Sequence, residues 1–229
     1  MNKSSYIVAS RFDWNSNFFN QFSKQHKGAW YFASNPVELE KLLKTITPRY
    51  IFFPHWSWIV SDEIIDEYEC ICFHMTDLPY GRGGSPLQNL IIQGFKETKL
   101  TALRMEKDLD AGPIYYKKSL NLCGSASDIY KRSGKLCWNM ISDFVKDNPI
   151  PTPQRGVITS FKRRSSDESL IPKKLPLEDI YNYIRMLDAP GYPKAFIEIE
   201  DYRLEFESSS FSDGKLSAKV SFIKMENDV

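Results

Sequence analysis

The segment "YIFFPHWSWIVSDEIIDEYECICFH", residues 50–74, decides the fold of this 229-residue chain. "YIFFPHW" (50–56) and "CICFH" (70–74) are dense in β-favouring residues, and residues 61–67 between them have helical spacing, with Ser61 placed to start a helix. Strand, helix and strand in that order form a right-handed crossover whose two strands lie parallel.

The same rhythm extends in both directions. "YIVAS" (6–10) and "AWYFAS" (29–34) precede it as strands, with helical spacing over 14–24 and 36–45, the second announced by Ser34-Asn35-Pro36. "KLTALRM" (99–105) and "IYYKKSLNL" (114–122) follow as strands, and "GSASDIYKRSGKLCWNMISDFVKD" (124–147) reads as a long helix with Ser125 and Asp128 at capping-box spacing. The expected fold class is α/β, a doubly wound, mostly parallel Rossmann-like domain over 1–150. "NPIPTPQRG" (148–156) then breaks regular structure and is expected to cross the surface. Residues 151–193 read as a linker with a basic patch, "FKRRSSD" (161–167), and a helix near 176–188. Residues 194–229 alternate polar and apolar around Ser212-Asp213-Gly214, which implies a small antiparallel C-terminal sheet with a hairpin.

Composition narrows the function classes. With 30 basic and 29 acidic side chains and a net charge of +1, no basic stripe for a polynucleotide stands out, so no nucleic-acid partner is expected. The four cysteines, Cys70, Cys72, Cys123 and Cys137, sit in apolar runs and are too few for a disulfide framework. No segment has signal-peptide or membrane-spanning character. The expectation is a cytoplasmic protein with no membrane partner.

In open parallel sheets, ligands gather at the carboxyl ends of strands. His55 and His74, two of the chain's three histidines, leave such ends, and "EKDLDAGP" (106–113) follows the fifth strand. The loop "PYGRGGSP" (79–86) lacks the Gly-Lys-Ser/Thr of a phosphate-binding loop, and "YIVASRFDWN" lacks the glycines of a dinucleotide turn. Cys70, Cys72 and His74 share a strand face, but side chains two apart stand about 6.6 Å from each other, too far to converge on one zinc. No metal is expected.

His74, Leu78-Pro79, Gly81-Arg82-Gly83, Pro86, Gln88, Gly94, Thr98 and "MEKDLDAGP" (105–113), with Asp110 placed 36 residues after His74, resemble the motif of 10-formyltetrahydrofolate-dependent formyltransferases. The resemblance implies transfer of a formyl group from N10-formyltetrahydrofolate, as cosubstrate, to an amine. Such a transfer needs a base for the amine, a stabiliser for the oxyanion and a proton for the departing nitrogen. The resemblance makes His74 the base and Asp110 the residue that orients it and moves protons. The family's asparagine falls on Cys72, whose thiol is a weak donor, so His55 on the adjacent strand is the candidate replacement, against the alternative that it merely packs. Thr76 is expected to fix the loop. Trp58, Ile59 and Val60 on one side, and Met105, Lys107, Leu109 and Asp110 on the other, are the expected folate contacts.

For the amine, the short tail and the absence of a glycine-rich first turn point toward the sugar N-formyltransferases, the pseudaminic-acid-pathway type in particular. The expected acceptor is a nucleotide-linked 4-amino-4,6-dideoxy sugar made for a surface glycan. Its contacts would be Tyr80, Gly81, Arg82 and Gly83, with Lys162, Arg163 and Arg164 at a diphosphate and Tyr181, Tyr183 or Tyr192 at the base or sugar. Two alternatives stand beside this: a folate- or nucleotide-sugar-binding protein without turnover, and an enzyme like methionyl-tRNA formyltransferase. Exposed edges of a C-terminal sheet suit a homodimer.

Overall fold

The computed structural model describes residues 4–225. The first part of the chain runs β1 (Ser5–Ala9), α1 (Asp13–Gln25), β2 (Ala29–Ala33), α2 (Pro36–Leu43), β3 (Tyr50–Phe53), α3 (Asp62–Glu67) and β4 (Cys70–His74). Then come β5 (Arg82–Gly83), α4 (Pro86–Ile92), β6 (Glu97–Arg104), β7 (Ile114–Asn121), α5 (Ala126–Asp147) and β8 (Ser160–Phe161). The C-terminal part holds α6 (Leu177–Leu187), β9 (Ala195–Ile199), β10 (Tyr202–Ser212) and β11 (Lys215–Lys224).

The chain forms two compact units that interleave in sequence. One comprises residues up to 82, 99–120 and 131–160; the other comprises 83–98, 121–130 and 161 onward. Residues 83–98 and 121–130 group with the C-terminal part of the chain.

The first unit is built on a six-stranded sheet in the order β2-β1-β3-β4-β6-β7. β1, β2, β3 and β4 pair in parallel, as the crossover reading requires. Ile7, Val8, Ile51, Phe52 and Ile71 are all 0% exposed, which is why these strands read as nearly unbroken apolar runs and not as alternating ones. Phe144 of α5 packs its ring edge-on against Tyr50, Phe52, Tyr115 and Tyr116 at centroid distances of 5.6, 5.4, 4.8 and 5.1 Å, joining helix to sheet.

Local signals act as their chemistry dictates. Asn35 caps α2 by accepting the Glu38 amide at 3.0 Å, with Pro36 at the first helical position. Ser125 and Asp128 form the reciprocal capping box at 3.2 and 3.1 Å. Asp213 and Gly214, at φ 51° and 70°, turn β10 into β11 as a two-residue hairpin with both central residues left-handed.

Two features matter for the site. β6 runs antiparallel to β4, with His74 opposite Thr101 and Ile71 opposite Arg104, so the 105–113 loop starts at the Cys70 end of β4. Strand propensity is blind to direction, so the sequence pattern by itself does not give the direction of this strand. α4 starts where the glycine-containing loop 79–86 ends: Ser85 takes a left-handed conformation and Pro86 occupies the first helical position.

In the second unit, β9, β10 and β11 form an antiparallel sheet in the order β11-β10-β9. α6 carries Arg185, only 3% exposed, whose guanidinium donates to Asn182 Oδ1 at 2.8 Å and to the carbonyls of Leu122 and Gly124 at 2.7 and 3.0 Å. A buried cation is tolerated there because carbonyl and carboxamide oxygens replace its water.

Candidate active site

His74 closes β4, with its side chain buried. Its Nε2 lies 2.8 Å from the carbonyl oxygen of Gly81, which can only accept, so Nε2 carries a proton. Its Nδ1 lies 3.4 Å from Asp110 Oδ2, and the side chains of this pair are 7% and 8% exposed. With Nε2 protonated, Nδ1 and the carboxylate can share one further proton. Thr76, 0% exposed, braces the turn: its hydroxyl reaches Gly81 O at 3.4 Å, and its carbonyl accepts Thr101 Oγ1 at 2.6 Å.

Asp110 arrives by an indirect route. The Met105 amide bonds to Cys70 O at 2.8 Å, and Asp110, five residues on, reaches His74 at the far end of β4. The loop thus runs back along the strand. Asp110 itself is left-handed at φ 53°, a conformation costing on the order of 1 kcal/mol for a residue with a Cβ. Gly112 is squeezed against the strand: a Cβ there would stand 1.9 Å from Arg104 O, so only glycine fits. Gln154 secures the loop by donating from Nε2 to Asp110 O at 2.7 Å and Gly112 O at 2.8 Å.

Cys72 lies next to this pair. Burial holds its thiol well above its usual pKa, and the charge of Asp110 and the neighbouring Cys137 push the same way, so it stays protonated. Among the described residues no cluster of three or more His, Cys, Asp and Glu side chains is arranged to hold a metal ion.

His55, left-handed at φ 55°, is tied into a second polar cluster. Trp138 Nε1 donates to Asn15 Oδ1 at 3.1 Å, which orients that carboxamide. Asn15 Nδ2 then faces Ser10 Oγ at 2.7 Å and His55 Nδ1 at 3.3 Å. Nδ1 is therefore the acceptor, and Nε2–H donates to Ser133 Oγ at 2.6 Å. Desolvation, helped by the positive charge of Arg11, holds His55 down at about 4, so the ring is neutral near pH 7. Asn15, Ser133 and Gln154 escaped the sequence reading: nothing in their spacing separates them from surface polar residues.

The expected folate residues divide into two groups. Trp58, Ile59 and Leu109 are 42%, 88% and 63% exposed, a large apolar presentation on loops of the first unit. Val60 is buried in the core cluster of that unit, where Met105 and Trp56 also pack. Lys107 pairs with Asp66 at 3.0 Å and Asp62 at 3.7 Å on the surface. Arg82 gives Nε and Nη2 to Gln154 Oε1 at 3.2 and 2.8 Å. Tyr80 continues the turn, its amide bonded to Asp77 O at 3.2 Å.

In the second unit, Gly83 fits closely against the Phe161 carbonyl, and Gly84 against the backbone of Arg163. Arg164 donates to Glu168 O at 2.5 Å and lies over the Tyr183 ring, while Tyr181 stacks on Phe211 and Tyr192 bonds Tyr130. Lys162 and Arg163 are exposed.

Comparison with known proteins corrects the expected substrate. The Formyl transferase family model matches residues 9–136, and the model of the methionyl-tRNA formyltransferase C-terminal domain matches residues 166–223. The solved structure of methionyl-tRNA formyltransferase from Clostridium thermocellum is 44% identical, with a TM-score of 0.93 over 96% of this chain and 99% of that one. The methionyl-tRNA formyltransferase of Sinorhizobium fredii is 32% identical over 155 residues, 63% of this chain and 49% of that protein. The chain spans about half of that relative's length. A 4-N formyltransferase from Francisella tularensis shares the fold at 15% identity, with a TM-score of 0.66 over 98% of each chain.

The sugar N-formyltransferase reading, with its nucleotide-linked amino sugar and surface glycan, is thereby overturned, and so is the exclusion of a nucleic-acid partner. A net charge averages over the whole chain and says nothing about local patches such as Lys162, Arg163 and Arg164. Tail length and the wording of one loop likewise track the fold shared by all these enzymes, not the amine. The buried His74–Asp110 pair, the Gly81 turn that holds it and a family match across more than half of the residues lead to one identification: the chain belongs to the formyl transferase family.

Proposed function

We propose that this chain transfers the formyl group of N10-formyltetrahydrofolate to the α-amino group of methionyl-tRNA. The whole-length likeness to the Clostridium thermocellum methionyl-tRNA formyltransferase carries the reading. The match of the C-terminal domain model over 166–223 supports it.

The chemistry follows from the pair. The amine nitrogen attacks the formyl carbon, a C–N bond forms, and the carbonyl electrons move onto oxygen. Collapse of the tetrahedral species breaks the bond to N10, and the proton lost by the amine is returned to N10 of the departing tetrahydrofolate. His74, held through Nε2 by Gly81, receives that proton at Nδ1 with Asp110 stabilising the imidazolium. Cys72 supplies no nucleophile, because its thiol is kept protonated, and its S–H is only a weak donor to an oxyanion.

Trp58, Ile59 and Leu109 are the apolar side chains a pterin would cover, gaining about 25 cal/mol for each Å² removed from water. In the second unit, exposed Lys162, Arg163, Lys173 and Lys174 suit phosphate contacts, which position a nucleic acid without reading its bases. Four free cysteines accord with a reducing cytoplasm.

The test is incubation of the purified protein with N10-formyltetrahydrofolate and charged initiator tRNA, followed by deacylation and mass analysis. Formylmethionine is the expected product. Its absence, under conditions where tetrahydrofolate binding is measured directly, would sink the tRNA reading.

A further inference from the structure

We propose that Gln154 is a positioning residue for the reacting pair, linking the loop that carries Asp110 to the turn that holds His74. The inference rests on the reading of His74 and Asp110 as the groups that move the proton.

Gln154 is saturated in both directions. Its amide hydrogens go to Asp110 O at 2.7 Å and Gly112 O at 2.8 Å, and its oxygen accepts Arg82 Nη2 at 2.8 Å and Nε at 3.2 Å. Carbonyls only accept and a guanidinium only donates, so the carboxamide has one orientation. A half-buried glutamine with two backbone carbonyls and a forked cation as partners has lost its rotameric freedom.

The segment around it is fastened on both sides. Thr152 exchanges backbone bonds with Ile114 at 2.8 and 2.9 Å. Thr159 accepts the Gly81 amide on Oγ1 at 2.7 Å and the Arg82 amide on its carbonyl at 3.0 Å. The consequence lies at His74. Its two ring nitrogens face Gly81 O and Asp110 Oδ2, and the backbones of both these residues are bonded to the same segment, Gly81 through Thr159 and Asp110 through Gln154. The stretch that crosses the surface as a proline-rich connection thus sets the separation of base and carboxylate. Asp110 needs such a tether, because its left-handed backbone is not a conformation it would hold unaided.

Gln154→Glu separates the two halves of the contact: it keeps an acceptor for Arg82 but turns oxygen toward the carbonyls of Asp110 and Gly112. Gln154→Met removes both halves. With folding checked by thermal melting, both variants are expected to lower kcat about tenfold while KM for N10-formyltetrahydrofolate stays within about twofold, as loss of alignment demands. In an Asp110→Asn background the same substitutions should change kcat by less than about twofold, since the group being positioned is already gone. A substrate-independent readout is the proton NMR signal of His74 Nε2–H, the hydrogen bonded to Gly81 O on a ring whose other nitrogen faces Asp110, assigned with His26→Gln, His55→Gln and His74→Gln variants. It should broaden or shift upfield in Gln154→Glu and Gln154→Met. An unchanged His74 signal in both, or equal loss of kcat with and without Asp110, overturns the proposal. The NMR arm stands even if the protein formylates no tRNA, so failure of the substrate reading and failure of this one are separate results.

Discussion

His74 Nδ1 and Asp110 Oδ2 face each other at 3.4 Å in surroundings that leave the two side chains 7% and 8% exposed. Asp110→Asn keeps the shape, and asparagine is among the residues that tolerate a left-handed backbone, so the variant should fold. It removes the charge that steadies the imidazolium. Single-turnover measurements should show formyl transfer reduced by about a hundredfold or more in Asp110→Asn and in His74→Gln. Transfer within threefold of the unaltered protein would remove the pair from the mechanism.

His55 is expected to make the fold acid-sensitive. Its folded pKa of about 4 lies below the ordinary 6.5, so between those values the unfolded chain binds the proton more readily. Stability is then complete above about pH 6.5 and falls as the pH drops toward 4, by at most about 3 kcal/mol for this group. Urea midpoints at pH 7.5 and 4.5 for the unaltered protein and His55→Gln provide the check. The variant should lose less on acidification.

The cysteines should divide sharply in reactivity. Burial pushes Cys70 up to about 12 and raises Cys72 and Cys137, while Cys123 is exposed. Brief alkylation at pH 8, read by peptide mass spectrometry, should mark Cys123 and leave the other three until the protein is denatured. Cys72→Ala should retain turnover within about threefold, because a thiol kept neutral contributes little to an oxyanion. A larger loss would restore Cys72 to the chemistry.

Trp58 offers the folate test. Trp58→Ala removes a large apolar wall and should weaken tetrahydrofolate binding by about tenfold, with little change in melting temperature because 42% of the residue is already in water. Titration calorimetry gives the comparison directly. Equal affinity in the two proteins would move the pterin away from the 55–60 loop.

Much of the fold, and the pairing of His74 with Asp110, was legible in sequence because it rests on local rules. Apolar runs of strand length, the Ser125–Asp128 capping box, the Asp213-Gly214 turn and the spacing from His74 to Asp110 each depend on neighbours in the chain, or on a motif whose order is linear. The amine was misread because its evidence was not local: net charge and tail length average over patches, whereas likeness over the whole chain is far greater to a methionyl-tRNA formyltransferase, at 44% identity, than to a 4-N formyltransferase of the same fold, at 15%.

The sequence by itself determined the parallel β1–β4 core and singled out His74 and Asp110 as a pair. Tertiary structure decided how they meet. The antiparallel course of β6, the return of the 105–113 loop along β4 and the tether from Gln154 to Asp110 all depend on contacts between residues far apart in the chain. Hydrogen bonds between backbone carbonyls and a distant side chain leave no periodic trace in the sequence, which is why the groups that hold the pair were invisible until the chain was folded.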